Sequence, residues 1–322
     1  MLLNFIVITV GLATLLWSAD RFVEGSATIA RSMGMPPILI GMTIVSIGTS
    51  APEILVSLMA SITGSGDLAV GNAFGSNIAN IGLVLGITLL ISPFTVGRTT
   101  ATKDLPLLLL TIITCGFLLR DGVLSLLDSL VLTVGLVIFF ARLSAHLKHP
   151  DINDQQPDIP QLPLAKAWWL FLIGTTLLIA SSRALVWSAS NIAAAFGVSE
   201  LVIGLTIVAI GTSLPELAAS VVSARRGHAD IAIGAVVGSN MFNLVVVLAI
   251  PGFFGNLTIS TAALGRDLGT VLISTLLLTL FVFLGWNRTS HRGHLGRSAG
   301  IAFLALYALY TGWLFAQPNL GS

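Results

Sequence analysis

An all-α polytopic membrane protein, with about ten transmembrane helices arranged as two inverted five-helix repeats, is the fold class this sequence predicts. Three observations carry that expectation. Of the 322 residues 55% are hydrophobic and only 9% charged, where a soluble domain carries about 25% charged residues. Ten stretches approach the ~20 apolar residues that a helix needs to cross hydrocarbon. A segment near the start also returns, in register, half-way along the chain.

The ten stretches lie near residues 2–30, 36–62, 68–91, 104–119, 122–142, 165–195, 200–223, 230–252, 267–286 and 298–316. The first resembles a signal peptide but has no basic n-region, since its first Lys or Arg is Arg21, so it is expected as a retained span. The single cysteine, Cys115, sits in an apolar stretch and reads as a packing residue with no disulfide partner. Between the fifth and sixth stretches, residues 143–166 are polar and contain Pro150, Pro157, Pro160 and Pro163, which is linker chemistry too short for a folded domain. Asp151, Asp154 and Asp158 in this linker, and the pairs His146/His149 and His291/His294, read as solvated loop residues rather than metal ligands. The chain thus divides into a first transmembrane half (1–142), a linker (143–166) and a second transmembrane half (167–322).

Ten spans put both termini on one side. With the termini outside, eleven Lys and Arg fall in cytoplasmic turns and two, Arg120 and Arg266, in external ones, so the positive-inside rule predicts N-out and C-out. Asp20 and, at the equivalent place in the second half, Arg183 are expected near membrane edges, snorkelling. The net charge of +1 says nothing useful about partners, and no basic tract or aromatic-interleaved patch suggests nucleic acid, so the expected partners are the ions and the lipid bilayer.

GMTIVSIGTS (Gly41–Ser50) and GLTIVAIGTS (Gly204–Ser213) agree at eight of ten positions, at an offset of 163. Pro52-Glu53 and Pro215-Glu216, Asp67 and Asp230, Gly75-Ser76-Asn77 and Gly238-Ser239-Asn240, and Asn80 and Asn243 keep that offset. The chain is an internal duplication. Five spans per half, an odd number, make the second copy enter the membrane the other way round, which is the inverted-repeat plan of many secondary transporters. Such folds bind substrate near the midplane between interrupted helices, and Gly48 before Pro52 and Gly211 before Pro215 are matched breaking signals.

Glu53 and Glu216 are the carboxylates well inside the spans, where an ionisable group costs at least about 2.5 kcal/mol and marks a functional site by default. On a helix Thr49, Ser50 and Glu53 share a face, as do Thr212, Ser213 and Glu216; Ser76 with Asn80 and Ser239 with Asn243 are four apart and point together. Small hydroxylated residues also serve as packing devices between membrane helices. The glutamates have no such use, because nothing basic lies at their depth to pair with them. All these ligands are oxygen, which suits Ca²⁺ or Na⁺ and not Zn²⁺ or Cu⁺. Two facing carboxylates repel, and a divalent ion matches their charge.

GTSAPE with GNAFGSNIANIGLVLG, and GTSLPE with GAVVGSNMFNLVVVLAIPG, resemble the paired alpha repeats of the cation/Ca²⁺ exchangers, specifically the short prokaryotic sodium/calcium exchanger branch. The resemblance covers the whole chain and implies an antiporter that moves Na⁺ and Ca²⁺ in opposite directions by alternating access. It further implies that Glu53 and Glu216, with Thr49 and Thr212, hold Ca²⁺; that Ser50 and Ser76, and Ser213 and Ser239, form flanking Na⁺ sites; that the carbonyls of Ser46 and Ala209 add ligands; and that Asn80 and Asn243 line the centre. Asn at both 80 and 243 leans against K⁺ cotransport. A prokaryotic inner (plasma) membrane location and action as a monomer, with no catalytic residue and no cofactor beyond the transported ions, complete the expectation.

Rival readings come from other classes. A buried glutamate pair could instead couple Ca²⁺ to protons, although the hydroxyls of the GTS and GSN strings serve Na⁺ and not a proton. Gly64-Ser65-Gly66-Asp67 spells the string of intramembrane aspartyl proteases, but the copy at Gly227-His228-Ala229-Asp230 breaks it, and both aspartates read as helix caps. A cation channel would pass Ca²⁺ without a counter-gradient.

Overall fold

The computed structural model describes residues 1–148, 162–197, 209–259 and 261–316, with the backbone alone at positions 67, 146–148, 209, 261–263, 315 and 316. Helix α1 (Leu2–Ser32) turns at Gly34, whose φ of +69° suits glycine, into α2 (Pro37–Thr49). Pro52 has no N–H and its ring displaces the carbonyl four residues back, at Gly48, so the helix stops at Ser50. It restarts as α3 (Ala51–Ile62), bent by 46°. Helix α4 runs from Gly66–Ala79 through a π-helical turn at Asn80–Leu85 into Gly86–Ile91. Strand β1 (Phe94–Val96), α5 (Thr100–Asp121), β2 (Val123–Leu124) and α6 (Leu126–Lys148) complete this part of the chain.

Helix α7 (Leu164–Ala195) opens the remainder. The short α8 (Ala209–Thr212) breaks at Ser213 into α9 (Leu214–Arg225), again with proline in the first turn. Helix α10 (Ala229–Phe253) has its own π turn at Asn243–Val247. Strand β3 (Leu257–Thr258), α11 (Thr261–Leu284), β4 (Trp286–Asn287), β5 (Arg292–Leu295) and α12 (Arg297–Ala316) follow.

Among the described residues seven helices are long and apolar enough to cross a membrane, or eight when the bent α2–α3 pair counts as one. Helices α8 and α9 are the described part of the stretch expected at 200–223, and α12 occupies the stretch expected at 298–316. The aspartates of the linker, His149 and the Gly204 end of the second repeat motif lie outside the described residues. Burial sorts the long helices into layers. The apolar windows of α10 and α4 are 94% and 72% buried, against 22–39% for α1, α5, α6, α7 and α11. Helices α4 and α10 therefore form the centre and the others a lipid-facing rim, where exposed leucines and isoleucines meet a solvent as apolar as themselves.

The offset of 163 reappears in the geometry. The π turns begin at Asn80 and Asn243, and left-handed glycines close the helices at Gly34 and Gly197, and at Gly64 and Gly227. The Ser18 hydroxyl donates to Leu15 O at 3.0 Å and that of Ser181 to Leu178 O at 3.1 Å. Strand β1 corresponds to β3, and β2 to β4. Strand β2 pairs with β3, whereas β5 intervenes in the sheet order β1-β5-β4. Helix α5 leads from β1 to β2 and α11 from β3 to β4, each about 30 Å long. Since β2 joins β3 at one end of the bundle and β1 joins β4 through β5 at the other, the equivalent helices α5 and α11 run in opposite directions.

Glycine permits the tight crossings. At α1 against α7, a Cβ on Gly25 would lie 2.6 Å from Phe171 N and one on Gly174 2.6 Å from Phe22 N. At α2 against α10, a Cβ on Gly238 would lie 2.6 Å from Met42 Cα, and the Ser46 hydroxyl reaches Ala235 O at 3.0 Å. Such small-residue contacts let membrane helices approach where no hydrophobic force drives them together.

At the β1–β5–β4 end, polar residues fasten the helices. Arg226 donates from Nε to Asp20 at 2.7 Å, and Arg292 to Asp230 at 2.7 Å. Asp20 is thus an ion-pair partner rather than a snorkelling group, and Asp230 takes an arginine rather than capping α10, whose N-cap residue, His228, makes no side-chain cap bond. Arg183 is exposed, and the side chain of Asp67 is not described. Gly238→Val should destabilise the protein by about 1–3 kcal/mol through overpacking, read as a lower melting temperature in detergent, while Gly269→Ala, with open space at its Cβ, should not lower it.

Candidate cation site

Sequence and backbone together explain why carboxylates sit at the centre. Glu53 and Glu216 are each the third residue of a helix that restarts after a break, α3 and α9, so each lies in the first turn beside unbonded backbone N–H groups and the positive end of the helix dipole. Both are buried, 1% and 5% exposed. The segments 32–97, 184–224 and 227–265, which hold every site residue, contain no Lys or Arg. Among the described residues no group of three His, Cys, Asp or Glu comes together, so the charge here is that of two carboxylates.

The two motifs meet across the molecule. The Ser50 hydroxyl donates to Glu216 Oε1 at 3.4 Å, the Thr49 hydroxyl beside it lies 3.5 Å from Ser46 O, and Glu53 lies close enough to Glu216 to repel it. Thr49, Ser50, Ser76, Asn80, Ser213, Ser239 and Asn243 are buried and Thr212 half-buried. Several of these polar atoms have no partner among the described residues: Glu53 Oε2, Glu216 Oε2, Asn80 Oδ1, Ser213 Oγ, Ser239 Oγ and both polar atoms of Asn243. Buried oxygens are normally satisfied. The bare oxygens among them are of the kind that a hard cation accepts.

The two breaks are not equivalent. The Ser50 N–H still reaches the Ser46 carbonyl at 2.9 Å, whereas the Ser213 N–H turns to Ile210 O at 3.1 Å and away from Ala209 O. Of the two carbonyls expected to add ligands, that of Ala209 has lost this partner and that of Ser46 has kept it. The Ser46 hydroxyl is occupied between Gly41 O at 2.7 Å and Ala235 O at 3.0 Å, in the α2–α10 crossing.

Three residues around the centre escaped the sequence reading. Asn240 accepts from Asn80 Nδ2 at 3.0 Å; Ser57 donates to Val247 O at 2.8 Å, at the end of the α10 π turn; and Asn72 donates to Glu53 O at 3.1 Å. Asn240 and Ser57 were visible as repeat positions, matching Asn77 and Ser220, but carried no charge to single them out. Asn72 matches Ala235 and had no repeat signal at all.

A family model described as sodium/calcium exchanger protein matches residues 3–144 and 166–316. The chain belongs to this family. It is 41% identical to CaxA of Alkalimonas amylolytica, over 98% of this chain and 100% of that one. It is 38% identical to the inner membrane protein YrbG of Escherichia coli K12, over 98% of each. A solved structure of the sodium-calcium exchanger NCX_Mj, soaked with Na⁺ and Ca²⁺, superposes with a TM-score of 0.81 at 34% identity, covering 98% of this chain and 99% of that one. This exchanger is accordingly an integral membrane protein that transports cations, in the class of cation/Ca²⁺ exchange, rather than an enzyme. Because its glutamates have no ion-pair partner among the described residues, Glu53→Gln with Glu216→Gln should leave the melting temperature in choline buffer, free of Na⁺ and Ca²⁺, unchanged or higher; breaking a fixed buried ion pair would instead cost about 3–5 kcal/mol.

Proposed function

We propose that this exchanger is a secondary active antiporter that trades Na⁺ for Ca²⁺ by alternating access through one central site made by Glu53 and Glu216. The observation that carries the reading is the pair of buried carboxylates, one from each repeat, set among unpartnered oxygens with no basic side chain in their segments. One Ca²⁺ neutralises the pair, and so do Na⁺ ions; both together would overcharge a low-dielectric site, so the ions compete and the carrier exchanges them. Thr49 and Thr212 join the glutamates around Ca²⁺, Ser50, Ser76, Ser213 and Ser239 serve Na⁺, Asn80 and Asn243 line the centre, and the carbonyls of Ser46 and Ala209 complete the set. NCX_Mj, named a sodium-calcium exchanger, supports this cation assignment by likeness over nearly the whole chain.

The scaffold in this proposal is ten transmembrane helices in two inverted five-helix repeats, residues 1–142 and 167–322, joined by the linker 143–166. Opposite directions of α5 and α11 and the recurrence of turns and hydrogen bonds at an offset of 163 support it. The eleven-to-two bias of basic residues supports termini facing outward, and the likeness to YrbG supports an inner-membrane location.

Vesicles containing the purified protein and loaded with Na⁺ should take up Ca²⁺ from Na⁺-free medium and stop when the outside Na⁺ equals the inside. Glu53→Gln or Glu216→Gln should reduce uptake by at least about 100-fold, as expected when a residue whose loss costs ~3 kcal/mol is removed. Uptake that survives either change would remove the site from the proposal. Uptake driven by a pH gradient and indifferent to Na⁺ would replace Na⁺ coupling with proton coupling.

A further inference from the structure

We propose that Asn240 is a positioning residue of the exchange site: it fixes the side-chain amide of Asn80 with the carbonyl oxygen turned to the cation. The inference rests on the exchange reading above and deepens it. Asn80 begins the π turn of α4, Asn240 lies one turn before the π turn of α10, and both are 1% exposed. Asn80 Nδ2 donates to Asn240 Oδ1 at 3.0 Å, leaving Asn80 Oδ1 buried without a partner among the described residues.

An amide has one oxygen and one NH₂ group, and which of them faces a cation decides whether it attracts or repels. Two arrangements could satisfy the Asn80–Asn240 contact. In one Asn80 donates and offers its oxygen; in the other both amides are turned over, and Asn80 presents N–H groups to the ion. A cation beside two carboxylates selects the first. Without Asn240 as acceptor the Asn80 amide would be free to rotate, and its oxygen would be held in place by nothing.

The repeat makes the role specific to one side. Asn243 matches Asn80 and Asn77 matches Asn240, yet the mirror bond is absent: Asn77 Nδ2 donates to Ala73 O in its own helix at 2.9 Å, and neither polar atom of Asn243 has a partner among the described residues. Ser50 reaches Glu216, while the hydroxyl of its match, Ser213, has no partner among the described residues. The two central asparagines are therefore unlike: Asn80 is oriented by a side-chain bond across the repeat, and Asn243 has no such bond among the described residues.

The test is the half-saturation of radiolabelled Ca²⁺ binding to purified protein, which requires no transport. Asn240→Leu, similar in size and without an acceptor, should raise it about 10-fold, the lower end of the effect of removing an outer partner of a metal ligand. A carboxylate at position 80 has two equivalent oxygens and needs no orienting, so in an Asn80→Asp background the same change should raise half-saturation less than about 3-fold. Asn77→Ala, which removes a bond within its own helix, should likewise shift it less than about 3-fold. If Asn240→Leu does not fold, Asn240→Asp decides: it keeps an acceptor at the same reach and should leave half-saturation at or below that of the unaltered protein. An unchanged value in Asn240→Leu, an equal rise in both backgrounds, or a rise in Asn240→Asp would overturn the role of Asn240 and leave the exchange reading standing. Failure of the unaltered protein to bind Ca²⁺ would instead overturn the reading on which the role rests.

Discussion

Mutual repulsion of two buried carboxylates is the constraint around which this molecule is built. Each glutamate alone would be expensive in a membrane protein, and placing the second beside the first doubles the demand for positive charge without supplying any. The fold meets that demand only in part. Restarting helices α3 and α9 put partial positive charge at the glutamates, and Ser50 donates a hydrogen bond to Glu216. In the exchange proposed above, the remaining charge arrives and leaves with the transported cation.

Much of the surrounding architecture follows from making a helix stop where the charge is needed. Pro52 and Pro215 break α2 from α3 and α8 from α9, and they do so at the centre of the bundle because α4 and α10, the most buried of the long helices, hold them there. Glycine in α10 allows α2 to come within backbone distance, and the Ser46 hydroxyl then bonds across that crossing. In the π turns at Asn80 and Asn243 the backbone bonds reach one residue further than in an α-helix, locally widening both central helices beside the glutamates.

The parts legible in the sequence are those with a residue type to announce them. Breaks at Ser50 and Ser213 were marked by proline, the duplication by its register, and the site by carboxylates in apolar surroundings. The π turns were not legible, because Asn80–Leu85 and Asn243–Val247 read as ordinary apolar helix and the extra residue is accommodated by packing. Nor were the strands, two to four residues long, whose pairing is set by the helices that bring them together. Asp230 shows the limit of local rules: its position at the start of α10 suited a cap, and an arginine 62 residues away claimed it. Within the candidate site the sequence showed which polar residues repeat but not how they are oriented, since it contains Asn240 but not the bond that Asn80 makes to it.

Strand β5 has a wider consequence. A carrier made of two identical halves would be energetically degenerate, its inward and outward forms related by symmetry and equally populated. At one end β2 and β3 pair directly; at the other, β5 separates their counterparts, and Arg292 fastens it to Asp230 and to Thr95. That strand has no counterpart in the first half. It makes the two ends of the bundle unlike from outside the candidate site, so under the alternating access proposed above a surface ribbon would bias the balance between the two forms while the glutamates stay untouched.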